Sequence, residues 1–89
     1  MENRILEIYS EKHVSLNGKI INGSLSLESN IYGEGYDSEK HYTFSKTETE
    51  KLFSIITKED FIKLCRKERL IGMENFLKEN GIRYETFTI

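Results

Sequence analysis

Several things are scarce in this sequence. It has one cysteine, Cys65, no proline and only two histidines, His13 and His41. A single cysteine cannot close an internal disulfide, so a reducing compartment is expected. No apolar run approaches the roughly 20 residues of a membrane-spanning helix. Met1-Glu-Asn-Arg-Ile5 has no basic segment running into an apolar stretch, so no secretory signal is expected and the chain reads as cytoplasmic. One cysteine and two separated histidines fall short of the four spaced ligands of a structural zinc site. Glu34, Asp37 and Glu39 lack the alternating acids and the bidentate glutamate of a calcium loop. Neither metal nor cofactor is expected. Gly33-Glu-Gly35 lacks the third glycine and the strand–loop–helix setting of a phosphate loop, and reads as loop flexibility. Cys65 stands at apolar spacing from Phe61 in a helical stretch, which reads as a buried structural thiol rather than a nucleophile. No residue set for catalysis assembles, so the chain is read as non-enzymatic. The absence of proline carries no functional reading.

What is present suits one small α+β domain over residues 1–89, with a modest core. The net charge of −2 disfavours general nucleic-acid binding and is unevenly shared. Residues 1–50 hold five Lys/Arg against nine Asp/Glu; residues 51–89 hold eight against six. The acidic half centres on Glu28-Ser-Asn-Ile-Tyr-Gly-Glu-Gly-Tyr-Asp-Ser-Glu39, which has no Lys or Arg. Read as a loop, it would expose Tyr32 and Tyr36 beside Glu28, Glu34, Asp37 and Glu39. Tyrosine offers rigid contact area and carboxylates steer cations, so these six residues are the candidate partner-binding set.

Arg4 to Leu16 reads as a first strand. Asn17-Gly18 then reads as a hairpin turn, because a type I′ turn needs positive φ at both central residues. A second strand follows in Lys19–Glu28. It alternates at Ser24-Leu25-Ser26-Leu27, and Gly23 marks a bulge. Lys40–Phe44 forms a third strand. Ser45-Lys-Thr-Glu48 has the form of a capping box, with serine and glutamate both serving first-turn amides. It opens a helix over about Lys46–Ile55 that turns Leu52, Phe53 and Ile56 inward. Thr57-Lys-Glu-Asp60 caps a second helix over about Lys58–Lys67, with Phe61, Ile62, Leu64 and Cys65 in one stripe. A third helical stretch over about Leu70–Glu79 buries Met73, Phe76 and Leu77; the pattern fits equally a separate helix and a continuation of the second past a break between Arg69 and Gly72. Gly81 ends it. Ile82–Ile89 alternates and reads as a final strand that joins the sheet. The order is β-β-β-α-α-α-β: a three-stranded antiparallel meander, two to three helices and a C-terminal strand.

A basic run, Lys63, Arg66, Lys67 and Arg69, gives the alternative reading: a small nucleic-acid-binding regulator. Glu59, Asp60 and Glu68 would oppose the phosphates there, so a solvated helix face is favoured. An exposed final strand would also allow edge pairing into a homodimer.

The succession Gly23-Ser-Leu-Ser-Leu-Glu28, Tyr32-Gly-Glu-Gly-Tyr36, His41-Tyr-Thr-Phe44 and a Ser-capped helical half resembles the small immunity proteins of bacterial polymorphic and contact-dependent growth-inhibition toxin systems. The likeness covers about residues 20–89. It implies a stoichiometric antitoxin without catalysis, whose partner is a toxin domain, often a nuclease with a basic cleft. The acidic segment would then act by steric and electrostatic occlusion.

Overall fold

The structure, a computed structural model, describes residues 3–33 and 36–89, apart from the Tyr36 side chain. Among the described residues, five strands and two helices follow in the order β1 (Arg4–Ser10), β2 (Val14–Ile21), β3 (Ser24–Gly33), β4 (Tyr36–Thr43), α1 (Lys46–Ile55), α2 (Lys58–Glu79) and β5 (Glu85–Thr88). The strands form one antiparallel sheet in the order β1-β2-β3-β4-β5. The α+β class holds, and so does the joining of the last strand, which pairs with β4. The three-stranded meander does not: four strands precede the helices.

Two misread turns account for the difference. The chain reverses at residues 11–13, where the Glu11 amide donates to the Val14 carbonyl at 2.7 Å, so Arg4–Leu16 is parts of two strands rather than one. Asn17-Gly18 lies inside β2. The hairpin turn is Asn22-Gly23, with φ of 53° and 84°, the positive pair a type I′ turn requires. Gly23 is therefore a turn residue and not a bulge. Gly18 serves packing instead: a Cβ there would stand 2.8 Å from Leu27 Cδ2. The bulge is in β1, where Glu7 faces Asn17, Tyr9 faces Leu16 and Ile8 is the extra residue.

The pleat sorts the strands into two faces. Leu6, Ile8, Leu16, Ile20, Leu25, Leu27, Tyr42 and Phe44 are buried beneath the helices, which contribute Leu52, Phe61, Cys65, Met73 and Leu77. Each fully buried Leu, Ile or Phe contributes about 1.5–3 kcal/mol of transfer free energy. Phe53, Ile56, Ile62 and Phe76, expected inward, pack only partly buried at the rim of this core.

Local chemistry sets the helix ends. The Ser45 and Thr57 hydroxyls accept from the Glu48 and Asp60 amides at 3.2 and 3.1 Å. The Glu48 carboxylate accepts from the Arg83 amide at 2.8 Å, tying α1 to the approach to β5 rather than closing a capping box. Gly81, at φ 67°, ends α2 with paired bonds, Gly81 N–H to Lys78 C=O and Ile82 N–H to Leu77 C=O. Within α2, Arg69 leaves helical geometry at φ 63° and ψ −163°, so the second and third expected helices are one element with a sharp kink. The kink brings Gly72 so close to Glu68 that a Cβ on Gly72 would overlap Glu68 Cβ.

Candidate functional site

The helices cover one face of the sheet, and the register shows what stands on the other. Tyr32 pairs with Asp37, Asn30 with Glu39 and Glu28 with His41; alternation by two sends all six side chains to the helix-free face. Asn17 and Lys19 of β2, Ile5 and Glu7 of β1, and Glu85 and Phe87 of β5 join them. The expected acidic loop is thus two paired strands, with most of its residues held in β3 and β4. Among the described residues this face carries Glu7, Glu28, Asp37, Glu39 and Glu85 against Lys19 and His41. Coulomb repulsion among neighbouring carboxylates is relieved by a cationic partner, so such a face attracts basic surfaces.

Four of the six candidate partner-binding residues are brought together: Glu28, Tyr32, Asp37 and Glu39. Glu34 and the Tyr36 side chain lie outside the described residues. Tyr32 was expected outside regular structure but belongs to β3, with its side chain about half exposed. Its backbone is anchored, since Tyr32 N–H donates to the His13 carbonyl at 2.7 Å and its own carbonyl lies 3.1 Å from His13 Nδ1. A rigid backbone under an exposed ring suits a contact anchor, because little entropy is lost on binding.

His41 stacks flat on Phe87, with centroids 4.6 Å apart and planes within 2°. Its Nε2 lies 2.5 Å from Glu39 Oε2 and 3.7 Å from Glu28 Oε1. Asn30 Nδ2 donates to Glu28 Oε2 at 3.3 Å. Two shallow hollows mark the face. One, of about 600 Å³, is lined by Glu7, Asn17, Glu28, Asn30 and Tyr32 among others. The other, of about 380 Å³, has Ile5 and Phe87 in its walls, with Lys19, Ser26 and His41 beside them. Ile5 and Phe87 are 77% and 51% exposed, which puts apolar contact area beside the acids.

The basic run is divided by the structure. Arg66 Nε donates to the Ile8 carbonyl at 2.5 Å and its Nη2 to the Glu7 carbonyl at 3.3 Å, clasping the bulged edge strand. Arg69 pairs with Glu11 at 2.8 Å and lies over the Tyr9 ring at 4.5 Å. Both arginines thus brace the fold, while Lys63 and Lys67 are exposed. Cys65 is fully buried, and burial pushes its thiol up to about 12.

Sequence reasoning missed Asn30, His41, Ile5, Glu7, Glu85 and Phe87 as members of this face. The alternation in Ile82–Ile89 could have shown that Phe87 and Glu85 share a side; which side requires the register. Among the described residues, no helix is long and apolar enough to cross a membrane. No family model, curated protein or solved structure matches the chain.

Proposed function

We propose that this protein is a non-catalytic protein-binding inhibitor, an immunity protein whose helix-free sheet face occludes a basic toxin domain. The observation that carries this reading is the gathering of Glu28, Asp37 and Glu39 with the exposed Tyr32 ring on one side of the β3–β4 hairpin. Carboxylates across such a face steer a cationic partner and fix its orientation, while Tyr32, Ile5 and Phe87 exclude water from the contact. Inhibition by occlusion requires no bond-making group.

The nucleic-acid reading ranks behind it, because two of its four cations, Arg66 and Arg69, are engaged with β1 and Glu11.

Capture with a tagged chain from host lysate, reading bound protein and nucleic acid together, tests the proposal. The expected result is one stoichiometric basic protein whose affinity falls by about 2 kcal/mol or more in Tyr32→Ala. Nucleic acid retained without protein, and lost in Lys63→Glu/Lys67→Glu, would replace this function with the alternative.

A further inference from the structure

The same open face holds a mixed nitrogen and oxygen donor set. Glu28 and His41 are register partners on β3 and β4, and Glu39 lies two residues before His41 on β4. One ligand atom from each falls within 4.8 Å of the other two. Around a tetrahedral zinc ion with bonds of 2.0–2.2 Å, donor atoms stand about 3.3–3.6 Å apart. The His41 Nε2 distances of 2.5 Å to Glu39 and 3.7 Å to Glu28 bracket that spacing, so small side-chain rotations suffice.

Three features distinguish the set from a patch of surface acids. Imidazole nitrogen is a preferred donor for first-row divalent ions, and the two carboxylates balance a 2+ charge. Phe87 stacks on the His41 ring and fixes its plane, which costs entropy that an ion would otherwise have to overcome. Asn30 holds Glu28 Oε2, leaving Oε1 on the His41 side, the arrangement by which outer groups orient ligands. The adjoining hollow of about 380 Å³, lined by Glu28 and His41, leaves room for water to complete the coordination.

We propose that Glu28, Glu39 and His41 bind one divalent transition-metal ion, with zinc the best fit. The Nε2 lone pair and one oxygen from each carboxylate form the metal bonds. Any proton on Nε2 passes to solvent or to Nδ1 as the metal bond forms, and nothing is oxidised or reduced. Calcium fits poorly, because it takes six to eight oxygen ligands. Ligand spacing along the chain gives no hint of the site; the β3–β4 register creates it. The site does not rest on the inhibitor reading, since the ion needs only this chain.

Isothermal titration of the whole chain with zinc chloride alone tests it. The expected result is one saturable site per chain, weakened at least about tenfold in His41→Asn and in Glu39→Gln and unchanged in His13→Asn. Circular dichroism establishes that each variant is folded. Nitrogen NMR of the parent chain provides a readout that needs no variant: zinc should shift His41 Nε2 and leave His13 in place. Absence of saturable binding, or a response centred on His13, would overturn the proposal.

Discussion

Replacing Arg69 separates backbone strain from side-chain contacts. Its φ of 63° and ψ of −163° fall in a region that is essentially reserved for glycine and costs other residues about 1–3 kcal/mol. Two contacts offset that cost. The exposed ion pair to Glu11 contributes about 0.2–1 kcal/mol, and the guanidinium over Tyr9 about 0.5–1 kcal/mol. Arg69→Ala removes both contacts and keeps the strain, because alanine also carries a Cβ, so it should destabilise by about 1–2 kcal/mol. Arg69→Gly removes the same contacts but releases the strain, less about 0.5–1 kcal/mol for the greater freedom of the unfolded glycine. The glycine variant should therefore be the more stable of the two, by about 1 kcal/mol. For a domain of this size that is a gap of about 4–8 °C in Tm, measurable by circular dichroism melts. Equal melting temperatures, or a lower one for glycine, would refute the strain argument. The comparison also bears on function, since Arg69 was a candidate phosphate contact and this account gives it a bracing role.

Three further outcomes are expected. Tyr42 donates to Glu74 Oε2 at 2.5 Å, and Lys40 also reaches that oxygen, so Tyr42→Phe should cost about 1.5 kcal/mol in urea unfolding. Burial alone would push the Glu74 carboxyl up, but these two donors outweigh it and hold it below the ordinary glutamate value. A depressed carboxyl stabilises the fold above its unfolded pKa, so that contribution should fade as pH drops below the ordinary glutamate value and through the lower folded one, and less of it should remain to lose in Tyr42→Phe. Cys65, its thiol raised to about 12, should react with thiol reagents at neutral pH only as the chain opens, so labelling should track urea unfolding. Gly72→Ala tests the kink: helix propensity alone favours alanine by about 1 kcal/mol, yet the overlap of the new methyl with Glu68 Cβ should reverse the sign and destabilise by about 1–3 kcal/mol in thermal melts.

The helical half was the most legible part of the sequence. Its limits come from local chemistry: Ser45 and Thr57 accept first-turn amides, and Gly81 takes a left-handed conformation. The break near Arg69 was visible as an interruption of pattern, although its backbone geometry was not. The sheet was less legible, because Asn17-Gly18 and Asn22-Gly23 carry the same turn signal. Which one turns depends on tertiary packing, here the close approach of Gly18 to Leu27. That error merged β1 with part of β2. The acidic segment was found by composition, but its pairing as β3 and β4 was not. A strand shifted by one residue would send Glu28, Glu39 and His41 to opposite faces, so only the register reveals the open face as a site.

The most direct test of the inhibitor account is hydrogen exchange on the complex captured from the host. The account predicts slowed exchange along β3, β4 and β5, where the acidic face meets the partner, and loss of capture in Glu28→Lys/Glu39→Lys with the fold intact. Protection confined to α2 around Lys63 and Lys67, with capture unaffected by reversing the two glutamates, would contradict it.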